Sequence, residues 1–184
     1  MGLQTNTMKK ALFLDRDGVI NVDKEYLYKI EDIEFEDGIF ELCRYFQNLG
    51  YLIIIVTNQS GIARGYFTTS DLLKLNEWLV DEFKKRDIDI SKIYYCPHHP
   101  DITGECRCRK PKPGMLLDAK DEFDLDLLNS CLIGDKERDI QSAIDAGVKE
   151  SYLYNPLGDI KESKASKIVK KLEDIWKNRD ADTK

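Results

Sequence analysis

No apolar run in this chain approaches the roughly 20 residues that a membrane-crossing helix needs. The longest, Tyr51 to Val56, has the length of a buried strand. No charged-then-apolar leader opens the sequence, so a cytoplasmic protein, neither inserted nor secreted, is expected. Positive charge is scarce as well: 28 Lys and Arg face 34 Asp and Glu, a formal net charge of -6 at pH 7. That balance leaves no broad basic face for nucleic acid, and any affinity for phosphate must come from a few placed groups. Low-complexity tracts, internal repeats and Pro-, Gly- or Ser-rich linkers are missing too. A chain of 184 residues, 42% hydrophobic and 34% charged, is therefore expected to form one globular domain over residues 11–184, preceded by a flexible polar arm over residues 1–10. Five cysteines are an odd number, which speaks against a disulfide framework.

What is present alternates. Strand-length apolar segments, Ala11 to Leu14, Tyr51 to Val56, Ile93 to Tyr95, Cys131 to Ile133 and Ser151 to Tyr154, are separated by stretches of helical period. Ile39, Leu42, Cys43, Phe46 and Leu49 recur at three- and four-residue spacing before Gly50. Leu72, Leu75, Leu79 and Phe83 form a stripe that Thr69 or Ser70 can cap. Pro113 suits the first turn of a helix through Phe123, Ile140, Ala143 and Ile144 stripe another, and residues 161–177 read as a closing amphipathic helix through Ala165, Ile168, Val169, Leu172 and Ile175. Repeated β-α units of this kind build an α/β fold with a mostly parallel sheet.

Chemistry gathers at the predicted strand ends, where open parallel sheets bind ligands. The first strand runs into Asp15-Arg16-Asp17-Gly18. The second runs into Thr57-Asn58, a hydroxyl and an amide suited to phosphoryl oxygens. The strand at Cys131 runs into Gly134-Asp135-Lys136, with Asp139 one turn beyond. Asp15 can attack phosphorus, Asp17 can exchange a proton with the leaving oxygen, Asp135 is a hard ligand for Mg²⁺, and Lys110 can stabilise charge on the transferring group. Asp139 suits either metal support or the first turn of its helix.

Cys96-Pro97-His98 and Cys106-Arg107-Cys108 face each other across a short loop containing Gly104. Residues two apart in extended chain point the same way, so Cys96, His98, Cys106 and Cys108 can close a tetrahedral, structural Zn²⁺ site within residues 96–108. The alternative is free thiols beside incidental histidines. Cys43 and Cys131 read as small core hydrophobes.

Together, Asp15-Arg16-Asp17-Gly18, Thr57-Asn58, Lys110 and Gly134-Asp135 with Asp139 resemble the four motifs of the haloacid dehalogenase (HAD) superfamily over Ala11 to Tyr154. The resemblance implies a Rossmann-like fold with helices on both faces of the sheet. It also implies Asp15 as nucleophile, Asp17 as general acid and base, and Mg²⁺ on Asp15, Asp135 and the Asp17 carbonyl, with Thr57 and Lys110 on the phosphoryl group. About forty residues between Asp15 and Thr57 leave no room for a large cap domain. Within the superfamily, Asn58-Gln59-Ser60-Gly61-Ile62-Ala63-Arg64-Gly65, Tyr95-Cys96-Pro97-His98-His99-Pro100 and the segment from Cys108 to Met115 resemble the zinc-binding D-glycero-D-manno-heptose 1,7-bisphosphate 7-phosphatases. That likeness implies a monomer acting on a small sugar phosphate, with contacts from Arg16, Asp23, Lys24, Glu25, Tyr26, Asn58, Gln59, Ser60, Arg109 and Lys136. Histidinol-phosphate phosphatase shares the carboxylate motifs and the zinc loop, and a zinc-stabilised phosphate-binding module without turnover is the alternative of another class. Read on their own, Arg64 can cover a loop carbonyl and Lys112 can be solvated.

Overall fold

The computed structural model describes residues 8–181. Its frame is one open sheet of six strands in the order β3-β2-β1-β4-β5-β6, all pairs parallel. They are β1 (Lys10–Leu14), β2 (Tyr51–Asn58), β3 (Ile90–Cys96), β4 (Cys131–Gly134), β5 (Glu150–Tyr154) and β6 (Lys167–Val169). The order reverses beside β1, so its carboxyl end opens into the crevice where such sheets bind ligands.

Strand periodicity divides the core. Leu12, Leu14, Ile53 and Ile55 point to one side and meet α1 (Ile39–Asn48), α2 (Thr69–Lys84) and α6 (Glu173–Ala181). Ala11, Phe13, Ile54 and Val56 point to the other and meet α4 (Gly114–Phe123) and α5 (Glu137–Ala146). With both faces covered, β1 and β2 read as continuous apolar runs rather than alternating ones. Only a 3₁₀ turn, Ile30–Asp32, precedes α1 in the connection after β1, so no cap domain is inserted there.

Several expectations shift. Residues 1–7 of the proposed arm lie outside the described residues. Lys10 already opens β1, and Lys9 bridges to Leu125. The cap of α2 is Thr68, not Thr69 or Ser70. Its hydroxyl accepts the Asp71 amide at 3.1 Å, and the Asp71 carboxylate returns a bond from the Thr68 amide at 2.8 Å, a reciprocal arrangement worth about 1 kcal/mol. Ile144 lies exposed, outside the stripe of α5. Pro113 sits at the cap of α4, one residue before its first turn. The connection between the two cysteine pairs contains a short helix, α3 (Pro100–Thr103), that pattern alone did not announce.

The closing segment is the largest departure. Instead of one helix over residues 161–177, it forms β6 and then α6. Ala165 and Ile168 pack on one side of the sheet, whereas Val169, Leu172 and Ile175 pack on the other. A single helical stripe cannot serve two faces, and the edge of β5 offers β6 a ladder that outweighs helical periodicity.

Gly134 ends β4 where α5 approaches most closely: a Cβ there would lie 2.2 Å from that of Asp139. Gly134→Ala should destabilise the fold by about 1–3 kcal/mol, read as a lowered melting temperature. An unchanged melting point would show that the approach is not tight.

Candidate active site

The centre of the site is Lys110, 2% exposed, in the loop before α4. Its ammonium pairs with Asp15 Oδ1 at 3.0 Å and with Asp139 Oδ1 at 2.7 Å, and donates to the Val56 carbonyl at 2.8 Å. Burial opposes its charge, but Asp139 and Asp15 hold the ammonium above its ordinary pKa. The Lys110 backbone is clamped by Asn58, whose Oδ1 accepts the Lys110 amide at 3.0 Å and whose Nδ2 donates to the Lys110 carbonyl at 3.1 Å. Asn58 also borders the cleft, and the clamp uses one of its two amide hydrogens.

Asp15 Oδ1 accepts from both the Arg16 amide, at 2.8 Å, and Lys110. Oδ2 accepts no hydrogen bond among the described residues, so it is the unengaged oxygen of this carboxylate. Burial pushes the Asp15 carboxyl up to about 8; Lys110 pulls against that shift, and Asp139, Asp135 and Asp17 add to it. Asp135 is raised by burial too, against a 2.8 Å ion pair with Lys136. Asp139 holds two jobs: Oδ1 pairs with Lys110, while Oδ2 accepts the Lys136 amide at 3.0 Å and caps α5.

Asp17 faces the same cleft from the loop after β1. Its Oδ2 accepts from Gln59 Nε2 at 2.9 Å, and the same Gln59 group donates to Thr57 Oγ1 at 2.9 Å. The Thr57 oxygen is thus an acceptor within the protein, and its own hydrogen can turn to a ligand.

The open cleft above these groups, about 310 Å³, is lined by Asp15, Asp17, Asp23, Glu25, Tyr26, Gln59 and Ser60, with Arg64, Arg109, Lys136 and Arg138 supplying positive charge. Of the expected contacts, Thr57 and Lys110 lie beneath the cleft rather than in its walls, and Arg16 and Lys24 turn away from it. Arg16 is fully buried behind Asp17, and Lys24 turns to the Asp32 carbonyl at 3.0 Å and to Glu34 at 3.2 Å. Conversely, Arg138 had no sequence signal beyond lying two residues after Lys136. Arg64 covers no carbonyl: its Nη2 lies 2.9 Å from His99 Nε2, and its guanidinium sits over Tyr26.

The cysteine cluster is partly assembled. Cys106 Sγ lies 3.6 Å from the sulfurs of both Cys96 and Cys108, which are 2.7 Å apart. The two longer separations approach the edge of roughly 3.8 Å that a tetrahedron with Zn–S bonds of about 2.3 Å requires. His98 stands outside the group whose ligand atoms all lie within 4.8 Å of one another, and its carbonyl accepts Arg109 Nη1 at 3.2 Å.

Comparison with known proteins agrees with this geometry. A family profile described as "HAD-hyrolase-like" matches residues 107–153. The chain is 57% identical over 166 residues, 90% of its length and 93% of the other, to D-glycero-alpha-D-manno-heptose-1,7-bisphosphate 7-phosphatase of Campylobacter jejuni. It is 43% identical over 173 residues, 90% of its length and 91% of the other, to D-glycero-beta-D-manno-heptose-1,7-bisphosphate 7-phosphatase of Escherichia coli K12. Among solved structures, D,D-heptose 1,7-bisphosphate phosphatase from B. bronchiseptica, crystallised with magnesium and phosphate, superposes with a TM-score of 0.82 at 28% identity, covering 94% of this chain and 99% of that one.

The raised carboxyl of Asp15 makes stability depend on pH. Its folded pKa, about 8, lies above the ordinary 3.8, so the folded state holds the proton more tightly than the unfolded chain. The stabilisation is complete below 3.8 and is lost as pH rises through 8. In EDTA, the melting temperature should therefore fall across that window, and Asp15→Asn, which cannot ionise, should flatten the slope. An identical slope in wild type and variant would refute the assignment.

Proposed function

Because the chain belongs to the D-glycero-D-manno-heptose-1,7-bisphosphate 7-phosphatase family of HAD-like hydrolases, we propose that it removes the 7-phosphate of that sugar bisphosphate, through an aspartyl-phosphate formed on Asp15. The observation that carries this reading is the pairing of a nucleophile pinned through Oδ1, by Lys110 and the Arg16 amide, with Asp17 on the same cleft. Asp15 Oδ2 attacks phosphorus while Asp17 gives a proton to the departing sugar oxygen. A water then attacks the phosphorus of the aspartyl-phosphate, Asp17 takes a proton from it, and phosphate and the Asp15 carboxylate are released. Thr57 donates its hydroxyl hydrogen to the phosphoryl group, and Lys110 holds positive charge beneath it.

The donor set fits Mg²⁺. Asp15, Asp135 and Asp139 bring ligand oxygens within 4.8 Å of one another, and buried Asp135 Oδ1 has no hydrogen-bond partner among the described residues. Asp139 Oδ1 is ion-paired with Lys110 and Oδ2 caps α5, so Asp15, Asp135 and the Asp17 carbonyl would hold the ion. Its charge offsets the repulsion between the Asp15 carboxylate and an incoming phosphate. Cys96, Cys106 and Cys108, with His98, would hold a structural Zn²⁺ that fixes the loop carrying Arg109.

A cleft of about 310 Å³ rimmed by Arg64, Arg109, Lys136 and Arg138 suits a sugar with a second phosphate, since pockets for such ligands begin near 300 Å³. No helix of the described residues is long and apolar enough to cross a membrane, consistent with work on a soluble metabolite in the cytoplasm. Of the named relatives, the one acting on the α anomer is 57% identical and the one acting on the β anomer 43%, which favours the α anomer here.

Phosphate release with Mg²⁺, measured side by side on the two anomers and on histidinol phosphate, should be fastest for the α anomer; preference for histidinol phosphate would overturn the substrate assignment. Asp15→Asn should abolish turnover with the fold intact, and residual activity near wild type would remove its role as nucleophile. Purified protein should carry about one zinc per chain, and its extraction should lower the melting temperature; protein prepared with zinc present that holds none would disprove the zinc loop.

A further inference from the structure

Arg16 is the largest fully buried side chain among the described residues, and it lies directly behind Asp17. Its Nε and Nη2 donate to Asp17 Oδ1 at 3.1 and 2.9 Å, and Nη2 also reaches Oδ2 at 2.8 Å. Asn21 Nδ2 adds a bond to Oδ1 at 3.1 Å and Gln59 one to Oδ2. Every partner of that carboxylate is a donor, and a guanidinium gripping it along one edge fixes the carboxylate plane as a single ammonium cannot.

The same Nη2 donates to the Leu27 carbonyl at 2.8 Å. Leu27 follows the segment Asp23 to Tyr26, three of whose residues line the cleft. Glu25 and Tyr26 there both take left-handed backbone, with φ of 49° and 50°, a conformation that costs non-glycine residues free energy and needs anchoring. One side chain thus ties the proton-transfer group to the wall of the substrate cleft.

We infer that Arg16 is a positioning residue: it aims the Asp17 carboxyl at the leaving oxygen and registers it with the substrate loop, while attack by Asp15 proceeds without it. The inference rests on the reading of Asp17 as general acid. It separates two classes of substrate. An alkyl phosphate, such as a sugar phosphate, needs a proton on its departing oxygen, whereas p-nitrophenolate leaves without one.

The test compares kcat/KM for the sugar bisphosphate and for p-nitrophenyl phosphate, both with Mg²⁺, in Arg16→Gln, Arg16→Lys and Asp17→Asn, with melting temperatures alongside. General acids contribute about 10²–10⁴-fold, so Arg16→Gln should lose at least about tenfold more on the sugar phosphate than on p-nitrophenyl phosphate. Arg16→Lys, which keeps a cation but not the two-point grip, should lose selectively but less, and it carries the test if the glutamine variant does not fold. Equal losses on the two substrates in both Arg16 variants, with Asp17→Asn still selective, would reduce Arg16 to a structural role and leave the general acid in place. Equal losses in Asp17→Asn as well would overturn the acid assignment and, with it, the role of Arg16.

Discussion

A buried ammonium set among oxygens from three parts of the fold holds this site together: Lys110 pairs with Asp15 just beyond β1 and with Asp139 in α5, and donates to the Val56 carbonyl in β2. Removing any one partner would leave charge or a polar group unpaired in a dry interior, at a cost of several kcal/mol for the charged ones. That constraint explains the Asn58 clamp on the Lys110 backbone, because an ammonium can sit at the meeting point of three elements only if its main chain is fixed as well. It also engages one oxygen of Asp15 and leaves the other without a hydrogen bond among the described residues.

The acids of the site each have a cation of their own. Asp15 has Lys110, Asp17 has Arg16, and Asp135 has Lys136, while Asp139 shares Lys110 with Asp15. With all four ionised, the carboxylates outnumber the three cations beneath the cleft by one, and Asp135 Oδ1 and Asp139 Oδ1 accept no hydrogen bond among the described residues. Hard oxygen donors with uncompensated charge are what a small divalent cation requires. Above this floor the wall sets Arg64, Arg109 and Arg138 beside the acids Asp23 and Glu25.

Close packing enforces these positions. A Cβ at Gly18 would lie 2.4 Å from Asp135 Oδ2, and one at Gly134 would meet Asp139 at 2.2 Å. Each glycine lets a carboxylate from another loop or helix rest against bare backbone, so the acids are placed by sterics as well as by charge. Gly18 also takes φ of 86°, which turns the chain back after the two acids that follow β1.

Sequence alone determined the parts of this protein that rest on local pattern. Strand and helix periods gave the parallel sheet, and an acid following directly on a buried strand is carried to the sheet's carboxyl edge, so Asp15, Asp17, Thr57 and Asp135 were legible. The cysteine pairs were legible for the same reason, since two-residue spacing sets side-chain direction. Tertiary structure decided everything that depends on what meets a side chain from elsewhere in the chain. Arg16 and Lys24 carry charges suited to a ligand, yet Arg16 is buried on Asp17 and Lys24 is drawn to Asp32 and Glu34, while Arg64 and Arg138 reach the cleft. The apolar residues from Ala165 to Ile175 keep a helical spacing, but the free edge of β5 drew part of them into a strand. Periodicity records which residues must be buried; only the assembled sheet and its neighbours decide against what.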